Sequence, residues 1–425
     1  MQKTDVQDLD LQEYARKPAP DTSNSSGFHL ALIIIGGTIG FAIFIVAAQI
    51  GGSLGYAKAG AAFAIGSLIL GIMGAMTSYI GARTRLSTYL LTEFAFGQQG
   101  AKLVNLAIAA SLIGWYGVIS STLGQATTSM LSESFGLHIS EVLAVIVASA
   151  LMIWVTVIGF KGVDKLALVL VPLMILFIGF AAYTALNQSD GSGQLVEAGF
   201  TFKTAISAVV GSYIAGVIIQ PDYSRFAVNP RQAVIGVFAA LGIMFPLIQF
   251  FSAVPSMALG EPDIVQVMVG LGIILPAFFL LFLGAWSSNV LCLYSSGLSV
   301  ATIAKRTPFS KIIIVIGIIG TALAFLPAQA YLVNFLVLLG VAIPPIGAVY
   351  IVETAFFRRF TMNIEALTQE PVIRWQAFAA WIGGGVVGYL SSKGIIGIFD
   401  IASIDSLVVS SLVYIALNFT RFRSA

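Results

Sequence analysis

The sequence has few of the side chains that most enzymes and metal proteins use. Among 425 residues there is one cysteine, Cys292, and there are two histidines, His29 and His138. A single cysteine excludes an internal disulfide and a cysteine-based metal site. The phosphate-binding P-loop, the HExxH motif and paired carboxylates within an apolar run are absent too. We therefore expect neither an enzyme nor an ATP-driven pump.

Charge is also scarce, and this defines the class of protein. Charged residues make up 9% of the chain and hydrophobic residues 58%, with a mean hydropathy of +0.96. A soluble domain of this length would expose large apolar patches, so the composition predicts an all-α membrane protein with many spans. The formal net charge of +2 gives no reason to expect nucleic acid as a partner.

Apolar stretches of about 20 residues recur along the chain, each long enough to cross a hydrocarbon core of about 30 Å as a helix. They predict about twelve transmembrane helices. The predicted spans are 28–55, 59–82, 103–131, 140–160, 165–187, 203–220, 232–258, 271–304, 312–327, 330–352, 376–392 and 403–420.

Basic residues are distributed unevenly between the predicted loops. With the polar tail 1–27 inside, the outer side holds Lys58, Lys203 and Lys393, and the other 18 of the 21 lysines and arginines face the cytoplasm. This positive-inside bias places both termini in the cytoplasm and, in a bacterial cell, the protein in the inner membrane. Residues 353–375 form a cytoplasmic linker before the last two spans in 376–425.

Glycines interrupt the first and sixth spans, five spans apart: IGGTIG at 35–40 and GSYIAG at 211–216. Secondary transporters are often built from two inverted repeats whose first helices are broken. We predict repeats over 28–187 and 203–352, with breaks at Gly40 and Gly211. The alternative is that these glycines permit close helix packing.

The motif GAWSSN at 284–289 places polar groups inside a long apolar run. Ser287, Ser288 and the carbonyl of Gly284 put three oxygens on one side of a helix, and hard cations bind clustered oxygens. We expect a sodium site there, completed by carbonyls near Gly40 and Ile43 that a broken first span would free. Alternatively, both hydroxyls bond back to carbonyls of their own helix.

Two aromatic residues lie at a similar depth. At about 1.5 Å per helical residue, Trp115 is about 20 Å beyond Lys102, Tyr213 about 18 Å before Arg225 and Ser288 about 25 Å before Lys305. An indole and a phenol near the middle of the bilayer need partners for their polar ends. Two flat rings beside a slot would hold a planar heterocycle by stacking.

Several motifs now carry a family resemblance: YIGART at 79–84, FAFG at 94–97, GWYG at 114–117, VGSY at 210–213, DYSRF at 222–226 and AIPP at 342–345. Over about residues 30 to 360 the chain resembles the bacterial cytosine permeases of the nucleobase:cation symporter-1 family. The resemblance implies the five-plus-five inverted repeat fold of sodium-coupled amino acid transporters plus two C-terminal helices, and sodium symport of a nucleobase. It makes Trp115 and Tyr213 the stacking pair, and makes Gly40, Ile43, Gly284, Ser287 and Ser288 the sodium shell.

The chain departs from that family pattern at groups that would face a base. Leu112 replaces a glutamine, Ala215 replaces a serine, and Val290 and Leu291 follow Asn289 in place of acidic and amide residues. An unpaired polar edge costs about 1 to 3 kcal/mol per lost partner. We expect a less polar heterocycle or a different nucleobase, held by stacking plus Ser212 and Asn289.

Three hypotheses follow. The first is a secondary symporter with sodium as coupling ion; its partners are a small heterocycle and membrane lipid, and the working state is a monomer. The second is a proton-coupled transporter, or an uncoupled one such as a passive facilitator. The third is a transporter-like sensor that has lost transport.

Overall fold

A computed structural model of the chain describes residues 17–20, 25–158, 163–189, 199–261, 271–304, 306–326 and 328–423, and every regular element in these ranges is helical. The helices of the first half are α1 (Gly27–Thr38), α2 (Phe41–Thr84), α3 (Thr88–Phe96), α4 (Gly100–Phe135), α5 (Glu141–Ile158) and α6 (Val163–Gln188). The middle of the chain forms α7 (Phe202–Ile218), α8 (Gln220–Ser224), α9 (Pro230–Phe238), a π-helical turn (Ala239–Met244), α10 (Phe245–Leu259) and α11 (Ile274–Ala301).

The last part forms α12 (Phe309–Leu323), α13 (Ala328–Ala342), α14 (Pro344–Val352), a second π-helical turn (Glu353–Phe357), a 3₁₀ turn (Glu365–Gln369), α15 (Trp375–Ser392), α16 (Ala402–Leu417) and α17 (Phe419–Arg423). Each of the twelve predicted spans overlaps one or more helices of this set, and the first two spans share α2. Among the residues that the structure describes, five continuous helices are long and apolar enough to cross a membrane: Ile43–Thr84, Gly100–Phe135, Leu168–Gln188, Pro230–Leu259 and Tyr331–Phe357. The predicted multi-span architecture is confirmed.

The first span is broken where the sequence predicts. Helix α1 ends at Thr38, Ile39 is extended with φ −86° and ψ 91°, and Gly40 is the N-cap of α2. Gly55, with φ 70° and ψ 175°, then kinks α2 between the first and second predicted spans. A residue with a side chain would be strained in that left-handed conformation, so glycine suits this corner.

The second break is not at Gly211, and that prediction is wrong. Helix α7 runs unbroken from Phe202 to Ile218. A Cβ at Gly211 would overlap the carbonyl oxygen of Leu336 in α13, so this glycine permits close packing of two helices. The break lies at Ile219, where Pro221 follows in α8 and supplies no backbone N–H to continue the helix.

The broken helices lie at the centre of the packing. Helix α2 contacts α7 and α10, α4 contacts α11, and α1 contacts α6, α9 and α11. The hairpin of α15 and α16 packs against α13 and α14, away from α1 and α11. The polar tail 1–27 falls mainly on residues outside the described ranges. Ala19 within it is buried and donates its N–H to the Arg85 carbonyl at 2.8 Å.

Candidate functional site

A cavity opens beside both helix breaks, with an empty volume of about 780 Å³ that includes the space where it meets solvent. It is lined by α1, the start of α2, α4, α7, α8 and α11. The structure brings together five of the predicted substrate residues in its wall: Leu112, Trp115, Ser212, Tyr213 and Ala215. The predicted ion-site residues Gly40, Ile43 and Ser288 line the same cavity.

Trp115 is held by an aromatic neighbour behind it. It is 6% exposed, and its ring meets that of Phe335 edge to face, with centroids 5.6 Å apart and planes at 71°. A Cβ at Gly114 would come within 2.9 Å of the Phe335 ring, so the glycine makes room for this contact. No hydrogen bond to the Trp115 indole is found within the described ranges, and the indole can therefore donate one to a ligand.

Tyr213 lies between two glycines. A Cβ at Gly216 would come within 2.8 Å of its ring, and a Cβ at Gly37 would lie 3.4 Å from its hydroxyl. The ring also packs against Phe245, with centroids 6.0 Å apart. The phenol therefore reaches from α7 across to α1, and Gly216 makes room for its ring.

The other residues beside the rings are mostly apolar or already hydrogen-bonded. The Ser212 hydroxyl donates to the Val209 carbonyl of its own helix at 2.7 Å, which leaves its oxygen as an acceptor. Leu112 and Ala215 line the cavity, as does Leu291. Three of the departures from the cytosine-permease pattern thus face the cavity, and the wall around the rings offers few groups to a polar base edge.

Ser288 is the polar group that most clearly calls for a ligand. Its hydroxyl oxygen is buried and has no hydrogen-bond partner among the described residues. A Cβ at Gly40 would lie 3.2 Å from this oxygen, and a Cβ at Gly284, one turn earlier on α11, would lie 3.0 Å from the Ile39 carbonyl oxygen. Helix α11 therefore crosses the chain at the first break, where the last carbonyls of α1 lack donors within their own helix.

The break frees a different set of carbonyls from the expected one. The Gly40 carbonyl accepts the N–H groups of Ile43 at 3.0 Å and Phe44 at 3.2 Å, and Ile43 lies inside α2. Of the last four carbonyls of α1, that of Ile35 accepts the Ile39 N–H at 2.8 Å. Those of Gly36, Gly37 and Thr38 have no donor within their own helix, as at any helix C-terminus.

Three predicted residues lie outside the cavity lining: Gly284, Ser287 and Asn289. Ser287 is buried at 2% exposure. The Asn289 amide donates to Ser120 Oγ at 3.0 Å and to the Tyr116 carbonyl at 3.4 Å, both on α4. The Asn289 amide nitrogen thus joins α11 to α4, while its Oδ1 is buried without a hydrogen-bond partner among the described residues, and a contact between Asn289 and the substrate stays a prediction.

Sequence reasoning missed the end of the cavity beyond Ser288. Cys292 and Ser295 of α11 line it, together with Ile219 and Tyr223 beside the second break. Ser295 follows Ser288 by seven residues, two helical turns, so its position on the same face could have been predicted. Tyr223 could not, because its position depends on where the sixth span breaks.

Two broken helices that line a central cavity between long apolar helices define a secondary transporter of the inverted-repeat class. Comparison with solved structures agrees. Mhp1, described as a nucleobase-cation-symport-1 family transporter in a closed conformation with bromovinylhydantoin bound, matches with a TM-score of 0.83 at 20% identity, over 96% of each chain. A Na⁺-coupled sialic acid symporter matches with a TM-score of 0.65 at 14% identity, over 95% of this chain and 92% of that one.

The chain belongs to the family of permeases for cytosine/purines, uracil, thiamine and allantoin, whose family model matches residues 24–412. A cytosine permease of Escherichia coli O157:H7 is 32% identical over 412 residues, 95% of this chain and 94% of that protein. The expected family and the inverted repeat fold are confirmed. The protein is a multi-pass membrane transporter and not an enzyme.

Proposed function

We propose that this protein imports a nucleobase or a related planar heterocycle together with a sodium ion, by alternating access. One observation carries the proposal: the first helix break, Ser288, Trp115 and Tyr213 all face one cavity. A ring stacked there and an ion at the break would contact the same wall of the cavity. Each would then favour the conformation that binds the other, and reciprocal coupling of this kind is what symport requires.

Sodium fits the residues at the first break. The buried Ser288 hydroxyl without a partner, together with the carbonyls at the end of α1, supplies neutral oxygens of the kind that hard cations bind. Bound sodium would add a positive charge that joins α11 to the break. Gly284 and Ser287 remain predicted ligands of the same ion, and so do Gly40 and Ile43, whose carbonyls would have to bind it through their second lone pair because the break does not free them.

The lining residues favour sodium over a proton as the coupling ion. No aspartate, glutamate or histidine is among the described residues that line the cavity. A proton that moves with the substrate needs a titratable carrier near it. A cation held by hydroxyl and carbonyl oxygens needs none.

Stacking is the main substrate interaction in this proposal, with Trp115 and Tyr213 as the flat partners. Relatives named for cytosine and the bound bromovinylhydantoin of Mhp1 support a planar, nitrogen-containing ring. The apolar Leu112, Ala215 and Leu291 argue that the substrate is not cytosine itself. The positive-inside bias supports cytoplasmic termini and, in a bacterium, the inner membrane.

Uptake into proteoliposomes tests the proposal. With radiolabelled uracil, cytosine, adenine and hypoxanthine offered in turn, we expect at least one to accumulate above equilibrium under an inward sodium gradient. Accumulation should stop when potassium replaces sodium and persist when a proton ionophore is added. Equal uptake in sodium and potassium would reject sodium coupling, and absence of both uptake and binding would reject transport of this class of substrate.

A further inference from the structure

The end of the cavity beyond Ser288 carries a pair of hydroxyl groups that neither ion binding nor ring stacking uses. The hydroxyl oxygen of Tyr223 lies 2.9 Å from Ser295 Oγ, and both residues line the cavity. Tyr223 belongs to α8, beyond the second break, and Ser295 belongs to α11. We call this pair the hydroxyl floor.

The hydroxyl floor is fixed in place by its surroundings. Tyr89 of α3 donates its hydroxyl to the Ser295 carbonyl at 3.2 Å, and Ser299 donates to the same carbonyl at 3.0 Å. Ser295 is 4% exposed. These two bonds hold the backbone that carries the Ser295 hydroxyl, so the hydroxyl is positioned before a ligand binds, and preorganisation of this kind favours affinity.

The depth of the cavity separates the hydroxyl floor from the ion site. Ser288, Cys292 and Ser295 line the cavity from one face of α11. Ser288 and Ser295 are two helical turns apart, which is about 10 Å along the axis. A single six-membered ring between Trp115 and Tyr213 leaves the end of the cavity at the hydroxyl floor unfilled, whereas two fused rings extend toward it.

We propose that the hydroxyl floor binds the polar edge of the substrate and selects two fused rings over one. The inference rests on the proposed function, because it assumes a ring stacked at Trp115 and Tyr213. Each hydroxyl has one donor and two acceptor positions, so the pair can exchange its mutual bond for bonds to ring nitrogens or an exocyclic oxygen. The apolar wall formed by Leu112, Ala215 and Leu291 makes the floor the main polar contact for that edge.

Binding of matched ligands to the purified full-length protein in sodium tests the inference. Hypoxanthine and 4-pyrimidinone share a six-membered ring and its carbonyl, and differ by the fused imidazole; adenine and 4-aminopyrimidine form a second such pair. We expect at least one fused ligand to bind about tenfold more tightly than its single-ring partner. Tyr223→Phe and Ser295→Ala should each weaken that fused ligand about fivefold, the effect of one lost hydrogen bond, and change single-ring binding less than twofold.

Ser296→Ala is the matched control, because the Ser296 hydroxyl donates to the Leu293 carbonyl of its own helix at 3.0 Å and does not line the cavity. It should leave both affinities unchanged, and thermal unfolding should confirm that all variants are folded. Equal affinity for fused and single-ring ligands overturns the inference, and so does a preference for the fused ligand that survives in the Tyr223→Phe, Ser295→Ala double variant. In either case, sodium-driven uptake of a single-ring base would still support the proposed function. If no heterocycle binds the wild type, both fail.

Discussion

At the scale of single residues, Ser288 offers the sharpest test of ion binding. Its buried hydroxyl has no partner among the described residues, and a hydrogen-bonding group of this kind is costly inside a membrane. We expect Ser288→Ala to raise the sodium concentration that half-saturates heterocycle binding at least tenfold, since contacts to a charged group are worth about 1.5 to 3 kcal/mol.

Affinity at saturating sodium should change little in this variant, because the hydroxyl serves the ion and not the ring. Ser288→Thr retains the hydroxyl and should stay near the wild type. An unaltered sodium requirement in Ser288→Ala would show that the ion binds elsewhere.

Trp115 tests the stacking contact. Base stacking on an aromatic ring is worth about 1 to 3 kcal/mol, so Trp115→Ala should weaken heterocycle binding at least fivefold and Trp115→Phe much less. Trp286 is the control, because it packs on Phe282 with centroids 5.6 Å apart and does not line the cavity. Isothermal titration calorimetry on the wild type, Trp115→Ala, Trp115→Phe and Trp286→Ala measures the difference. Comparable losses in Trp115→Ala and Trp286→Ala would indicate general damage to the fold.

The sequence predicts the level of single residues along their helices correctly, but it predicts the direction of their side chains less reliably. Trp115, Tyr213 and Ser288 were predicted to lie at one level, and all three line the cavity. Asn289 was grouped with Ser288 because they are neighbours. A helix turns about 100° per residue, so adjacent side chains point to different partners, and Asn289 reaches α4. Sequence spacing fixes such directions only once one residue of the helix has been placed.

At the scale of elements, the two breaks differ in what the sequence reveals. Gly40 has an extended backbone and caps α2, so the glycine cluster at 35–40 coincides with the first break. Gly211 lies within a regular helix, and Pro221 accompanies the second break. Glycine in a membrane helix has two uses, bending and close packing, and the local sequence does not distinguish them because the partner helix comes from a distant segment.

Gly211 also gives a prediction for helix packing. Because a Cβ there would overlap the Leu336 carbonyl, Gly211→Ala must separate α7 from α13, and overpacking of this kind costs about 1 to 3 kcal/mol. We expect a lower thermal midpoint in detergent. Gly179→Ala is the control, since nothing lies within 4 Å of a Cβ at that position and alanine favours a helix. Equal midpoints for the two variants would contradict the contact.

At the scale of the whole molecule, the charges gather at two ends. Arg358, Arg374 and Arg421 surround Glu353, with contacts of 2.7, 3.9 and 3.0 Å. These four residues belong to segments that the distribution of basic residues assigns to the cytoplasm. Lys203 and Asp400, paired at 3.0 Å, join α7 to the loop before α16, on the side assigned to the exterior. The predicted linker 353–375 is therefore held by ion pairs, a feature that composition alone could not show.

Glu353 should matter for stability far more than an exposed ion pair does. Its side chain is 0% exposed, and Tyr414 of α16 donates to it at 2.9 Å, so it ties the last two spans to the rest of the chain. Glu353→Gln removes one of the two carboxylates of this cluster, because Glu370 still contacts Arg358 and Arg374 at 2.7 Å each, and breaking a buried pair costs about 3 to 5 kcal/mol. We expect a large drop in thermal midpoint and faster proteolysis within 353–375. Asp400→Asn, at a pair whose side chains are 57% and 59% exposed, should barely change either measurement. Similar midpoints for both variants would show that the cluster does not hold the C-terminal helices in place.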